Sequence, residues 1–284
     1  MTRIALVTTR PARDLDDDLA PLHDALRDAG AEVAIADWDD TALDWSRFDL
    51  ALLRSTWDYT QRLPEFLDWS VRIAARTRLL NPPGVLRWNV DKHYLGDLAR
   101  AGVPIVPSRF VEPHADACAA LDGFLAQHAA AGFADLVVKP CIGAGSRDAQ
   151  RHGRSDRDAT LTHLRRLLEA GRSVLLQPYL DRVDEHGETA LIFFDGEFSH
   201  AIRKGPLLRR GDAATAALFA TEQIAPRTPT DAERTVADTA LAAIPFDKPL
   251  LYARVDLIHS ADGSPCLLEL ELAEPSLFFA HAQG

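Results

Sequence analysis

The stretch Leu251-Tyr-Ala-Arg-Val-Asp-Leu-Ile-His-Ser, followed beyond Asp262-Gly263 by Cys266-Leu-Leu-Glu-Leu-Glu-Leu, constrains the fold more than any other part of the chain. Both runs alternate in character, and an Asp-Gly pair between two such runs is a hairpin signal. Successive side chains of a strand point to opposite faces. Arg254 and Asp256 therefore share one face, and Glu269 and Glu271 share a face of the second strand. A two-residue turn at Asp262-Gly263 sets Asp256 opposite Glu269 and Arg254 opposite Glu271. Three carboxylates then crowd one surface. Directly opposed like charges destabilise a sheet, and a half-buried carboxylate without a partner is costly. A divalent cation relieves this, and Mg²⁺ takes a few carboxylate oxygens together with phosphate oxygens and water. A solvated acidic face salt-bridged by Arg254 accounts for the same pattern, so the hairpin alone leaves both readings open.

Upstream, Ile4 to Val7, Glu32 to Ala36 and Leu50 to Leu53 read as strands, with helices over Asp17 to Ala29 and Glu65 to Thr77. Strand–helix–strand alternation implies a small parallel α/β layer. Asn81-Pro82-Pro83-Gly84 breaks the chain and marks a boundary. A helix over Asp91 to Ala101 and strands over Leu136 to Lys139 and Ser173 to Leu180 follow. A second hairpin turns at Asp195-Gly196, and Gly211 to Ala225 gives no clear pattern. The expected fold class is α/β, becoming α+β in the C-terminal part. The expected units are 1–84, a central 85–172 and a C-terminal 173–284.

Composition narrows the function. The 31 Lys and Arg against 42 Asp and Glu give a formal charge of −11, which argues against a nucleic-acid surface. No apolar run approaches the ~20 residues that span a bilayer, and the N-terminal apolar run is too short for a signal peptide. Cys118, Cys141 and Cys266 are scattered, with no C-x-x-C, so a reducing cytoplasm is expected rather than a disulfide framework or a zinc site.

Lys139 ends an apolar strand directly before Ile142-Gly143-Ala144-Gly145-Ser146-Arg147. Glycines there let backbone N–H groups approach phosphate oxygens, with the lysine as a point charge beside them. The pattern is neither a Walker loop nor a dinucleotide fingerprint, and a plain hairpin turn with an exposed lysine fits it too. Lys92 lies at the start of a helix, where the dipole slightly disfavours a cation unless an anion is near. Gln177 to Leu180 ends a strand and could offer backbone hydrogen bonds to an adenine edge. A two-residue turn at Asp195-Gly196 sets Glu188 against Arg203, with Lys204 adjacent. That pair reads equally as a cross-strand ion pair or as an acid for ribose hydroxyls beside a base for phosphates.

Taken in order, Lys92, Lys139 with its glycine loop, Gln177 to Leu180, Glu188, Arg203, Asp256 and Glu269-Leu-Glu271 resemble the ATP-grasp superfamily over about residues 85–275. The N-terminal layer looks like the domain that usually precedes that fold, and the arrangement is similar to glutathione synthetase. Arg54-Ser-Thr-Trp-Asp-Tyr59, Phe198-Ser-His-Ala201 and Glu269-Leu-Glu-Leu-Ala-Glu-Pro275 resemble the O-ureido-D-serine cyclo-ligase branch.

The resemblance implies ATP and two Mg²⁺ ions carried by Asp256, Glu269 and Glu271. Lys92, Lys139, Gly143, Gly145, Ser146 and Lys204 would meet the phosphates, and Arg203, as a catalytic residue, would approach the phosphates or the acyl phosphate. Gln177, Tyr179 and Leu180 would meet the adenine, and Glu188 the ribose. Where many members end in E-x-N, this chain has Glu271 at the Asn position. The implied activity is ADP-forming ligation. A carboxylate becomes an acyl phosphate, and a nitrogen displaces the phosphate within the same molecule or from a second one. Arg254 would steady the oxyanion. Arg10, Arg54, Ser55, Thr56 and Asp58, at the ends of N-terminal strands, would meet an amino-acid-like substrate, with Glu274 and Ser276 taking its ammonium. Many relatives are dimers, so a homodimer is an expectation. The alternatives are a kinase that stops at the phosphorylated product, separable by ADP release with and without an amine, and a nucleotide-binding module with no turnover.

Overall fold

The computed structural model describes residues 1–129, 132–211, 223–247 and 250–282. Strands β1 (Arg3–Thr8), β2 (Glu32–Asp37), β3 (Leu50–Leu53) and β4 (Arg78–Leu80) form a parallel sheet in the order β2-β1-β3-β4. Helices α1 (Leu19–Asp28) and α2 (Leu63–Ala74) connect its strands. β1 is buried from Ile4 to Thr8, as an unbroken apolar run in a covered parallel sheet requires. Trp38, Trp45, Phe66 and Trp69 fill one side, and Tyr59 stacks on Phe66 at 5.1 Å.

The Pro-Pro-Gly break opens a helix instead of a linker. α3 (Pro83–Asn89) starts on Pro83, because the first helical position needs no backbone N–H. α4 (Tyr94–Arg100) follows, shorter than the Asp91 to Ala101 expected. Two asparagines stitch this region to the C-terminal sheet. The Asn81 amide donates to the Tyr252 and Leu272 carbonyls, and that of Asn89 donates to the Leu270 carbonyl.

A second, antiparallel sheet has the order β5-β8-β6-β7, from β5 (Arg109–Val111), β6 (Asp135–Pro140), β7 (Gln150–Gly153) and β8 (Val174–Pro178). α5 (Ala117–Gln127) and α6 (Arg157–Glu169) pack on it over Leu121, Phe124, Leu136, Val138, Leu164 and Leu167. Because β8 pairs with β5 and β6, this sheet runs past residue 172, where the sequence placed a boundary.

After the single turn α7 (Val183–His186), a third sheet has the order β11-β10-β9-β12-β13. It contains β9 (Glu188–Phe194), β10 (Glu197–Lys204), β11 (Ile224–Arg227), β12 (Tyr252–His259) and β13 (Pro265–Glu271). α8 (Asp231–Ala242), opened by a Thr230/Glu233 capping box, packs against β12 and β13. Most of the unpatterned 211–225 stretch lies outside the described residues. No helix among the described residues is long and apolar enough to cross a membrane.

The hairpin registers decide which side chains meet. Arg254 pairs with Glu271 and Asp256 with Glu269, as expected, but by another route. Near the turn His259 pairs with Pro265, Ser260 N–H bonds the Ser264 carbonyl, and Gly263 has φ +87°. The loop is thus a residue longer than a two-residue turn, and an irregularity between Asp256 and Leu257 restores the register. In the other hairpin Glu197 pairs with Phe194 as expected, then a shift between Phe198 and His200 is not undone. Glu188 therefore faces Lys204, and Arg203 faces Thr189. The expected Glu188–Arg203 pair does not form.

Candidate active site

A cleft of about 490 Å³ opens between the second and third sheets, with the loops after β1 and β3 along one wall. Asp256, Glu269 and Glu271 line it from β12 and β13, and Glu188 and Lys204 from β9 and β10. Lys204 Nζ lies 2.8 Å from Asp256 Oδ2 and also contacts Glu188. Arg254 donates through Nε to Asp256 Oδ1 at 2.8 Å, through Nη2 to Glu271, and through Nη1 to the Ser276 carbonyl at 3.1 Å. Lys92 Nζ lies 2.9 Å from Glu269 Oε1 and donates to the Gly143 carbonyl at 2.8 Å. One lysine thus ties the acidic hairpin to the glycine turn.

These pairings set the protonation. Burial acts to raise Asp256, but Arg254 and Lys204 outweigh it and hold its carboxyl far below the usual range. Glu269 is likewise lowered, because Lys92 and Lys139 overcome its burial. Burial pushes Glu188 up to about 7 despite Lys204. Burial, with Asp256 and Glu269 alongside and Arg254 opposing, pushes Glu271 up to about 7. Carboxyls forced toward the neutral acid by burial and like charge gain from an added dication. Glu271 is such a carboxyl, and with the ionised Asp256 and Glu269 it makes an all-oxygen set of the kind Mg²⁺ takes.

Lys139 lines the cleft and, among the described residues, makes no ion pair; burial lowers its pKa. Gly143, Gly145 and Ser146 line the same wall, with Gly145 at φ +60° and Ser146 at φ +58°. Tyr179 and Leu180 border the cleft too. The Tyr179 N–H is committed to the Asp135 carbonyl at 2.8 Å, and the Leu180 carbonyl to Val183 N–H at 3.1 Å. Among the described residues, the Tyr179 carbonyl and Leu180 N–H have no such partner and could meet a base edge. Gln177 borders the cleft but donates to Ser108 Oγ at 2.9 Å, which is a structural tie.

Other expected residues are not brought together. Arg203 turns away: its guanidinium donates to the His186 carbonyl at 2.8 Å and the Glu185 carbonyl at 2.9 Å, so Lys204 takes its place beside the carboxylates. Arg10 is exposed outside the cleft. Arg54 is buried against Asp16, Asp18 and the Pro275 carbonyl. Ser55 Oγ lies 2.7 Å from Thr8 Oγ1, Thr56 is buried, and Asp58 accepts from Trp38 Nε1 at 2.9 Å and from Arg62. The strand-end rule finds the right loops, but those side chains fold inward to brace them. Their neighbours Leu15 to Asp18, Trp57 and Tyr59 face the cleft instead. Glu274 and Ser276 do line it.

Asp18 was missed by sequence reasoning. Its carboxylate accepts the N–H groups of Leu277 at 2.6 Å, Phe278 at 2.9 Å and Phe279 at 2.8 Å, fixing the segment after β13. The only signal is the run Asp14-Leu-Asp-Asp-Asp18, which also reads as an ordinary acidic helix start.

Residues 4–81 match the family described as D-cycloserine synthetase DcsG, N-terminal domain. The whole chain is 44% identical over 278 residues to the cycloserine biosynthesis protein DcsG of Streptomyces lavendulae, covering 96% of this chain and 92% of that one. The crystal structure of D-cycloserine synthetase DcsG superposes with a TM-score of 0.91 at 42% identity, over 99% of this chain and 95% of that one. The D-alanine–D-alanine ligase of Bacillus anthracis shares the fold, with a TM-score of 0.65 at 17% identity over 100% and 90% of the two chains. Sequence and architecture agree over nearly the whole chain, which has the fold of ATP-grasp ligases and belongs to the D-cycloserine synthetase family.

Proposed function

We propose that this enzyme closes a ring on an amino-acid derivative of the O-ureidoserine type, by phosphorylating its carboxylate with ATP and letting its own nitrogen displace the phosphate. The observation that carries the reading is the span of Arg254, which reaches from Asp256 and Glu271 to the Ser276 carbonyl. It joins the metal-type carboxylates to the wall where an acceptor carboxylate would lie.

Asp256, Glu269 and Glu271 would hold two Mg²⁺ ions, whose charge would neutralise that developing on the transferred phosphoryl group. Lys92 and Lys139 meet the phosphates under the Gly143 to Ser146 turn, while the Tyr179 carbonyl and Leu180 N–H hold the adenine edge. Glu188, braced by Lys204, receives the ribose. Arg254 stabilises the oxyanion of the tetrahedral intermediate as a preorganised charge. Catalysis is then mainly positioning and charge neutralisation. We extend the proposal to a cytoplasmic homodimer built of an N-terminal layer 1–84 and two ATP-grasp units; light scattering on the purified protein tests the dimer.

The test of the reaction is phosphate release with Mg·ATP across O-ureidoserine and a panel of amino acids, with the product weighed by mass spectrometry. A cyclised product bearing no phosphate is expected. Phosphate release with none of these substrates would overturn the reading. Mg·ATP at ~100 times its dissociation constant should add ~2.7 kcal/mol to stability.

A further inference from the structure

We propose that Glu274 is the general base of the second half-reaction, taking the proton from the nucleophilic nitrogen as it attacks the acyl phosphate. The inference rests on the ligase reading above and adds to it a residue for the proton that reading leaves unassigned.

The cleft holds several buried or half-buried carboxylates, and ion pairs engage nearly all of them. Glu188 and Asp256 are held by Lys204, Glu269 by Lys92, Glu271 by Arg254, and Asp16 by Arg54. Glu274 differs. It lines the cleft at 7% exposure, makes no ion pair among the described residues, and has the Tyr59 hydroxyl as its side-chain partner. Its backbone is pinned, because Trp57 Nε1 donates to its carbonyl at 3.2 Å. Two residues on, the Ser276 carbonyl holds Arg254. The segment that carries the group that would accept the proton thus also anchors, through the Ser276 carbonyl, the group that would hold the oxyanion.

The chemistry fits. The proton passes from nitrogen to a Glu274 oxygen, the nitrogen lone pair forms the C–N bond, and the C–O bond to phosphate breaks with its electron pair leaving on phosphate. The titratable groups facing Glu274 are Tyr59 from the loop after β3, Tyr252 from β12, Glu269 and Glu271 from β13, and Lys92. Burial first, then Glu271, pushes its carboxyl up to about 8, which gives it the base strength that general-base catalysis near neutral pH requires. An ammonium anchor in the same position would instead act on binding, and this difference makes the inference testable.

The experiment compares the parent enzyme with Glu274→Gln, supplied with Mg·ATP and O-ureidoserine, on two readouts. One is cyclised product; the other is hydroxamate formed when hydroxylamine, already a free base at neutral pH, intercepts the acyl phosphate. Expected is a loss of roughly 100-fold or more in product, with hydroxamate formation and substrate KM close to the parent. Equal loss on both readouts with a raised KM makes Glu274 an ammonium anchor and overturns the proposal, as does an unchanged product rate. His281 also lines the cleft. If His281→Gln shows the split and Glu274→Gln does not, the assignment is also overturned. Should Glu274→Gln not fold, Tyr59→Phe removes the carboxyl's hydrogen-bond donor and leaves the carboxyl in place; a smaller split in the same direction supports the base, and no split refutes it. A parent enzyme that yields neither ADP nor hydroxamate brings down the ligase reading itself, whereas a parent that turns over alongside an equally active Glu274→Gln brings down only the base.

Discussion

Replacing Asp18 by alanine tests how the N-terminal layer holds the acceptor wall. Asp18 is 4% exposed, and its carboxylate accepts three consecutive backbone N–H groups, those of Leu277, Phe278 and Phe279, while pairing with Arg54 at 3.4 Å. A hydrogen bond to a charged group contributes about 1.5–3 kcal/mol, but these bonds share one acceptor and do not add fully. Phe278 sits at φ +55°, a left-handed conformation costing a β-carbon-bearing residue about 1–2 kcal/mol, and Asp18 is what holds it there. Alanine leaves the N–H groups without their acceptor and Arg54 with Asp16 as its remaining carboxylate. The expected loss is about 3–5 kcal/mol, or roughly 5–8 °C in melting temperature for a chain of this size. Asp18→Asn keeps one carbonyl oxygen to accept and should lose about half as much. Melting followed by fluorescence, with urea midpoints as a second measure, gives the order parent, Asn, Ala. A loss below about 1 kcal/mol for alanine, or asparagine worse than alanine, would refute the account of the carboxylate as a clamp.

Acid should destabilise the protein through His163, which burial and the neighbouring His152 push down to about 4 from 6.5. The unfolded chain takes up this proton first, so the contribution is complete above about pH 6.5 and is lost as pH falls toward 4, by about 3 kcal/mol; an identical urea-midpoint profile for His163→Leu would contradict it. Lys204→Met should abolish ADP release, because Asp256 and Glu188 lose their shared cation, whereas Arg203→Met, on the other side of β10, should cost less than about 10-fold; a reversed order in initial rates would reinstate Arg203. Lys139→Ala should raise KM for ATP about 10-fold or more and leave the nucleotide-free melting temperature almost unchanged, since Lys139 has no ion pair to lose among the described residues; a large drop in melting temperature without a KM effect would make that lysine structural.

The parallel layer was legible because periodicity reports burial directly. Leu50 to Leu53 coincides with β3, and the Lys139 strand falls within β6. Proline was harder to read. The pair before Gly84 looks like a terminator, yet the same missing N–H that ends a helix internally suits its first position. The inward turn of Arg54, Ser55, Thr56 and Asp58 was not legible either, since a polar run at a strand end has the same composition whether it braces a loop or faces a ligand. Only tertiary partners such as the Pro275 carbonyl, 221 residues away in sequence from Arg54, decide between the two.

Register shows why part of the site could be read and part could not. A turn signal fixes pairing only as far as the first irregularity in the ladder, and no residue type marks such an irregularity reliably. In the Asp262-Gly263 hairpin a longer loop and a compensating shift cancel, so Asp256 still faces Glu269 although the assumed turn was too short. In the Asp195-Gly196 hairpin the shift stands alone and moves Lys204 opposite Glu188. Because side chains alternate across a strand, that one-residue slip swaps the faces of Arg203 and Lys204, and with them which cation lies in the cleft and which caps the carbonyls of Glu185 and His186. The residue types for the site were present in either case. The ladder geometry chose between them, and it did so in favour of the lysine whose short ammonium fits between two buried carboxylates while the longer guanidinium reaches the end of α7.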